Sequence, residues 1–340
     1  MSRIQENVSL QSLNTFGIDV KARYFVDVSS ENDLRDLIRQ PIYHQHKVLI
    51  LGGGSNVLFT GDFDGLVIKS GILGKEVLRT NDHILFLKSG SGEPWHDLVM
   101  HAVMNNWGGI ENLSLIPGTA GAAPMQNIGA YGVEIKDVID NVEAIDLNTG
   151  DLRTFSNAEC RFSYRESIFK HDLKEKYFIS SITLRLTRND HRLNTSYGAI
   201  HDVLKARSID HPNIKDISDA VISIRQSKLP DPRVIGNAGS FFKNPTISMD
   251  EFDELKRVHP TIPSYPTDNQ SVKVPAGWLI EQCGWKGKKY GNIGVHQHQA
   301  LVLVNYGGGN GKEIFDLAMQ ICKSVQEKFN ITLTTEVNVI

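Results

Sequence analysis

Ile116-Pro-Gly-Thr-Ala-Gly-Ala-Ala-Pro-Met-Gln-Asn-Ile-Gly-Ala-Tyr-Gly132 is the stretch on which the fold reading turns. Between Pro117 and Gly132 half the residues are Gly or Ala, a composition that suits neither a regular helix nor a long strand. The stretch also lacks Ser, Lys and Glu, the residues that enrich mobile linkers. Small side chains over this length let backbone amides and carbonyls approach a flat polar ligand, such as an isoalloxazine ring with its pyrophosphate. A ligand loop is the reading that follows.

Upstream, the chain from Tyr24 predicts a short strand, a helix over Glu31 to Arg39, and a buried strand Val48-Leu-Ile-Leu51 running into Gly52-Gly-Gly-Ser-Asn56. A glycine run after a buried strand presents successive N–H groups that suit phosphate, and taken alone it reads equally well as a tight structural turn. It is not the dinucleotide fingerprint, because Val57 stands at the third glycine position. Nor does Gly307-Gly-Gly-Asn-Gly-Lys312 form a P-loop, since Tyr306 replaces the first glycine and Glu313 the final Ser or Thr; it reads as a loop ahead of a helix. Further strands are expected at Leu66 to Lys69, Ile84 to Lys88, Val138 to Leu147 and Phe178 to Leu186. A helix opening near Pro94 shares one face among Trp95, Leu98, Val99, Ala102 and Val103. Strands outnumber helices, so the class is α+β.

The polar stretch Thr187 to Ser218 is where a domain boundary is placed. Beyond it the pattern predicts helices over Asp216 to Ser227 and Asp250 to His259, and a strand at Ala300 to Val304. A long helix then carries Ile314, Leu317, Ala318, Ile321, Cys322, Val325 and Phe329 on one face. The last ten residues alternate, with Ile331, Leu333, Val337 and Val339 expected on one side of a strand and Thr332, Thr334, Glu336 and Asn338 on the other.

At 340 residues and 40% hydrophobic, with mean hydropathy -0.23, the chain exceeds what one core usually supports, so two or three domains are expected. A net charge of -3 and pI near 6.5 give no basic excess for nucleic acid or anionic membrane; small molecules are the expected partners. Cys160, Cys283 and Cys322 lack C-x-x-C spacing, which argues against a disulfide framework and a zinc site. His296-Gln-His298 has no accompanying carboxylate or cysteine set, so it reads as surface or loop and no metal is expected. The polar N-terminus and the absence of a long apolar run point to a cytoplasmic protein.

Several motifs, in order from about residue 14 to the C-terminus, resemble the UDP-N-acetylenolpyruvoylglucosamine reductase family. They are Asn14-Thr-Phe-Gly17, Leu51-Gly-Gly-Gly-Ser-Asn-Val-Leu58, Ile116 to Gly132, Tyr164-Arg165, Lys228-Leu-Pro-Asp-Pro232, Gly236-Asn-Ala-Gly-Ser-Phe-Phe-Lys-Asn-Pro245, Ala276-Gly-Trp-Leu-Ile280 and Glu336-Val337. The resemblance implies an FAD-binding fold of the vanillyl-alcohol-oxidase (PCMH) type in two subdomains, over 16–187 with a division near residue 72, plus a C-terminal α+β substrate-binding domain over 208–340. It implies FAD as cofactor and NADPH as co-substrate. The implied reaction converts UDP-N-acetylglucosamine enolpyruvate to UDP-N-acetylmuramate in peptidoglycan precursor synthesis, by a protein expected to be a monomer. Neither flavin motif contains a histidine, so the FAD is expected to be non-covalent.

The same resemblance assigns residues. For FAD, the first motif supplies Gly52, Gly53, Gly54, Ser55 and Asn56. The second supplies Pro117, Gly118, Thr119, Gly121, Ala122 and Ala123, followed by Gln126, Asn127, Gly129 and Ala130. Arg165 matches the catalytic arginine, whose guanidinium stays charged and can grip a carboxylate with two parallel donors. Glu336 matches the catalytic glutamate and Ser240 the serine that donates the proton. Tyr164, Tyr197, Lys228 and Asn244 fall on the substrate side, Tyr197 marking the longer subtype. Two other readings stand beside this one. A flavin oxidase or dehydrogenase acting on an alcohol or sugar shares the glycine motifs but leaves Lys228 to Pro232, Ser240 to Pro245 and Glu336 unexplained. A non-catalytic flavin or nucleotide-sugar sensor leaves Arg165, Ser240 and Glu336 without a purpose.

Overall fold

The computed structural model describes residues 3–267 and 270–340. The chain divides into two compact units. Ala22–Gly53 and Asp64–Ser227 form the first, with the N-terminal residues up to Val8; Ser9–Lys21, Gly54–Phe63 and Lys228–Ile340 form the second.

Within the first unit, strands Lys21–Val28, Phe63–Ser70 and Lys47–Leu51 lie side by side, with Gln5–Ser9 at one edge. The last two run parallel, Leu49 opposite Val67. Helix Glu31–Ile38 begins where the Ser30 hydroxyl accepts from the Asp33 amide at 3.1 Å. Leu34, Leu37 and Ile38 recur on one helical face, and that face is buried with Val26, Val28, Leu66 and Ile68.

A second sheet in this unit is antiparallel throughout, in the order Leu152–Ser156, Ile139–Asp146, Tyr177–Thr187, Ile84–Gly90, Lys75–Thr80. Its middle strand is buried from Phe178 to Leu184, as a strand covered on both faces must be. Helix Trp95–Met104 packs Trp95, Leu98, Val99, Ala102 and Val103 into one core with Leu85, Leu87, Ile182, Leu184 and Leu186. Each large aliphatic side chain so buried contributes about 1.5–3 kcal/mol. Pro94 is the cap of this helix rather than its first residue.

Helices Gly198–Ala206 and Ile214–Lys228 pack together through Ile200, Leu204, Ile217, Ala220, Val221 and Ile224, with Tyr131 and Leu193 against them. The contact division therefore falls between Ser227 and Lys228. The polar stretch from Thr187 to Ser218 contains a helix and the start of another, whose apolar faces belong with the first unit.

The second unit is built on strands Lys289–Tyr290, Ile293–Val295 and Leu303–Asn305 and on helix Gly311–Phe329. A reciprocal cap of Asn310 and Glu313 opens that helix, and left-handed Asn330 at φ 55° closes it. Ile314, Leu317, Ala318, Ile321, Val325 and Phe329 are buried as the periodicity predicts, while Cys322 is only partly covered.

Two expectations are corrected here. The C-terminal segment is not one strand. Its Lys243–Thr334 and Glu336–Phe241 backbone bonds give way at Glu336–Val337 to Asn338–Asn56 and Ile340–Leu58 bonds, so the chain changes partner and only Asn338–Val339 is regular strand, parallel to Val57–Leu58. Ile331, Leu333 and Val337 are buried, but Val339, beyond the change of partner, is 38% exposed. The second correction concerns His296, which is 6% exposed rather than a surface residue: its amide donates to the Val302 carbonyl at 2.9 Å, which places it beside the central strand. Among the described residues, no group of three or more His, Cys, Asp or Glu could hold a metal ion, and no helix is long and apolar enough to cross a membrane.

Candidate active site

In the first unit, Pro117–Gly132 folds as short 3-10 turns at Ala120–Ala122 and Pro124–Gln126, then a two-residue hairpin pairing Gly129–Ala130 with Val133–Glu134. Backbone bonds lace it to the segment leading into helix Trp95–Met104: Trp95 N to Gly118 O at 3.0 Å, Ala120 N to Glu93 O at 2.8 Å and Gly121 N to Ser91 O at 2.9 Å. Glycine is required at Gly121, where a Cβ would stand 2.5 Å from that of Ser91.

The first glycine run meets this loop backbone to backbone. A Cβ on Gly53 would lie 2.8 Å from the Gly118 Cα, and one on Gly52 would lie 2.8 Å from the Thr119 hydroxyl oxygen. Gly52 and Gly53 and the Pro117–Gly132 stretch therefore form one surface of small residues within this unit. Gly53 and Pro117 are exposed on it. The Thr119 hydroxyl is buried there without a hydrogen-bond partner, a group left for a polar ligand to satisfy. A cradle that side chains would fill, with an orphaned hydroxyl, fits FAD.

Arg165 is placed against this loop by a tight turn. Ser163 and Glu166 exchange backbone hydrogen bonds at 3.1 Å, which leaves Arg165 in the left-handed region at φ 57°. Asn127, itself left-handed at φ 44°, donates from Nδ2 to the Ser163 carbonyl at 2.9 Å, and the Ser167 hydroxyl donates to the Met125 carbonyl at 2.7 Å. The turn and the loop are thus stapled together. The Arg165 guanidinium in turn donates to the Gly129 carbonyl at 2.8 Å and the Asn127 carbonyl at 3.4 Å. Tyr164 is exposed, its ring 5.6 Å from the Arg165 guanidinium.

Tyr197 caps helix Gly198–Ala206 and meets Tyr131 edge to face at 5.1 Å between ring centres. Burial pushes the Tyr131 hydroxyl above its ordinary range, with the nearby charge of Arg225 pulling the other way. Burial pushes the Arg225 guanidinium down, and the charge of Arg165 adds to that. His96 is also held below the ordinary histidine range, by burial first. Sequence reasoning missed His96 and Arg225. Neither sits in a motif with its own signature, and only their side-chain contacts reveal them.

The second unit holds the remaining assigned residues. Gly54 is left-handed at φ 61°, and a Cβ there would fall 1.9 Å from the Leu13 carbonyl oxygen, so no other residue fits. Ser55 is partly buried. Asn56 donates from Nδ2 to the Glu336 carbonyl at 3.1 Å. Ser240 follows Gly239, left-handed at φ 70°, whose amide is held by the Asn237 side chain at 3.0 Å. Phe241 N bonds Leu301 O and Glu336 N bonds Phe241 O, both at 2.8 Å, so Ser240 and Glu336 lie on neighbouring chains of this unit. The Asn244 side-chain oxygen Oδ1 accepts from the Ala276 amide at 2.9 Å, fixing the start of helix Ala276–Gln282. Lys228 is exposed.

The first unit carries a cradle of glycines with an arginine pinned to its carbonyls, and the second a serine and a glutamate on adjacent chains; together they mark a FAD-binding oxidoreductase. Residues 22–156 match the model of the FAD binding domain, and residues 231–340 match that of the UDP-N-acetylenolpyruvoylglucosamine reductase C-terminal domain. The solved Thermus caldophilus UDP-N-acetylenolpyruvylglucosamine reductase shares the fold, at TM-score 0.69 and 22% identity, covering 100% of this chain and 99% of that one. The UDP-N-acetylenolpyruvoylglucosamine reductase of Flavobacterium johnsoniae is 49% identical over 337 residues, and that of Amoebophilus asiaticus 50% identical over the same number, covering 99% of each chain. The chain belongs to the UDP-N-acetylenolpyruvoylglucosamine reductase family. That membership bears out the expected α+β FAD-binding class and sets aside the oxidase reading.

Proposed function

We propose that this protein reduces UDP-N-acetylglucosamine enolpyruvate to UDP-N-acetylmuramate with NADPH, through non-covalent FAD, supplying a precursor of peptidoglycan. The observation that carries the reading is the Arg165 guanidinium fastened to the carbonyls of Asn127 and Gly129 in a loop whose small residues fit a flavin. FAD, when bound, would supply the hydride chemistry that links NADPH to the enolpyruvyl methylene carbon.

The residues supply the rest. Hydride addition leaves negative charge on the carbon beside the substrate carboxylate and on the carboxylate itself. Arg165 holds that charge with donors already oriented by the loop, so little reorganisation is needed as it develops. Glu336 helps hold the enol-like carboxylate. Ser240 delivers a proton to the adjacent carbon; a hydroxyl is a weak acid, but an enolate carbon is a strong base, which narrows the mismatch. Lys228 serves as a clamp for phosphate or nicotinamide, while Tyr164, Tyr197 and Asn244 position the substrate. The protein acts in the cytoplasm as a monomer.

The test is anaerobic NADPH oxidation by the purified holoenzyme, with and without the enolpyruvyl substrate. Sustained oxidation only in its presence supports the reductase. Bleaching of the flavin without turnover rejects this substrate, and a preparation that binds no FAD rejects the reading altogether.

A further inference from the structure

We propose that His96 and Arg225 form a two-ended clamp on Leu115 that fixes where the flavin loop begins, which makes both of them positioning residues for the reaction. The inference rests on reading Pro117–Gly132 as the flavin loop.

Leu115 is left-handed at φ 58°, a conformation disfavoured for a leucine and kept only where the surroundings over-determine it. Two side chains from different helices do so. The Leu115 amide donates to His96 Nδ1 at 2.9 Å, and the Leu115 carbonyl accepts from Arg225 Nε at 3.2 Å. His96 lies in the first turn of helix Trp95–Met104, and Arg225 in the last turn of helix Ile214–Lys228. A third tie holds the preceding residue, with the Ser114 and Ser218 hydroxyls 2.8 Å apart. Residue 115 is thus located from both sides, and Ile116-Pro-Gly118 starts from it.

Arg225 also reaches the far end of the loop. Its guanidinium charge acts on the buried hydroxyl of Tyr131, itself left-handed at φ 52°. No ion pair to Arg225 exists among the described residues, and its Nε is committed to a backbone carbonyl while its charge faces a phenol. A lysine would keep the charge but could not span both partners with one rigid group. At the other end the chemistry is complementary: because the Leu115 N–H is a donor, His96 must present an unprotonated Nδ1, and burial together with the nearby Arg225 charge favours that neutral ring.

The experiment compares His96→Leu, His96→Asn and Arg225→Lys with the unaltered holoenzyme by FAD dissociation constant, flavin absorbance spectrum, kcat and KM. Asparagine places an amide oxygen near the position of Nδ1, so it restores the acceptor. His96→Leu and Arg225→Lys should each weaken FAD roughly tenfold and perturb the spectrum, while His96→Asn stays within about twofold. A His96→Leu protein with the original flavin affinity and spectrum overturns the clamp, as does a His96→Asn protein as impaired as His96→Leu. Should His96→Leu not fold, Arg225→Lys decides: unchanged flavin binding overturns the proposal, and loss alongside a sound His96→Asn upholds it. Hydrogen exchange of the unaltered protein with and without FAD tests the loop assignment separately. Absence of FAD-dependent protection over 116–130 would reject that assignment, whatever the variants do.

Discussion

Asn56 donates from its side-chain amide to the carbonyl of Glu336 at 3.1 Å, across 280 residues of sequence. Its own carbonyl receives the amide and the side chain of Asn338 at 3.1 and 3.0 Å. Glu336 therefore sits where the C-terminal segment leaves Phe241–Lys243 for Asn56–Leu58, and Asn56 brackets that point from both sides. The change of partner thus falls at the residue proposed to hold the substrate carboxylate.

Removing that bracket should misplace Glu336 without unfolding the unit. Asn56→Ala is expected to lower kcat roughly tenfold, the equivalent of one net hydrogen bond. Steady-state kinetics on preparations matched for flavin content measure it, since Asn56 also belongs to a flavin motif. An unchanged kcat would show that Glu336 needs no such support.

The contact between the two glycine motifs leads to a second prediction. A methyl group at Gly53 would press on the Gly118 backbone, which cannot move aside as a flexible side chain would. Gly53→Ala should therefore part the loops and lower FAD affinity by about tenfold or more, whereas Gly61→Ala, with nothing within 4 Å, should bind as before. The ratio of flavin to protein after gel filtration separates the two, and equal retention would discard the close-approach argument.

Ser240→Ala isolates the proton step. If Ser240 delivers the proton, its loss should cut substrate turnover by about 10²–10⁴-fold, while bleaching of the flavin by NADPH keeps its rate. Stopped-flow measurement of each half-reaction distinguishes them. Slowing of the NADPH half alone would move Ser240 out of the acid role.

How far these relations could be read from the chain depends on their range. The Pro117–Gly132 loop, the helix from Trp95 and the buried face from Ile314 to Phe329 were all legible, because composition and periodicity are local properties. The meeting of Gly53 with Gly118 was not, since glycine carries no side chain to name its neighbour. His296 reads as surface because His296-Gln-His298 has no accompanying carboxylate or cysteine set, yet it continues strand Ile293–Val295, bonds Val302 and is buried. The alternation after Ile331 correctly marked Ile331, Leu333 and Val337 as buried and failed at Val339, where the change of partner at Glu336–Val337 interrupts the strand. His96 and Arg225 stood in no motif at all. Their part is visible only as hydrogen bonds to the backbone of Leu115.

Acid should loosen the flavin loop through Glu93. Glu93 is 7% exposed; its side chain is paired with Lys75 and accepts from the Gly74 amide at 2.8 Å, while its carbonyl receives the Ala120 amide of the loop at 2.8 Å. Burial alone would raise the carboxyl, but the hydrogen bonds from Lys75 and Gly74 outweigh it and leave it below the usual 4.5. A group depressed in the folded state adds stability that is complete above the unfolded value and is lost as the pH falls through the folded one. Unfolding free energy should accordingly decline below about pH 4.5, and FAD should be released over the same range. Glu93→Gln should cost about 1.5–3 kcal/mol at neutral pH, the worth of a charge-assisted hydrogen bond, and should flatten that acid limb. Urea unfolding between pH 3 and 7 measures both, at values set by the ordinary carboxylate range. An acid limb of the same slope in Glu93→Gln would assign the effect to other titrating groups, among them His96, whose Nδ1 must stay unprotonated to hold the Leu115 amide.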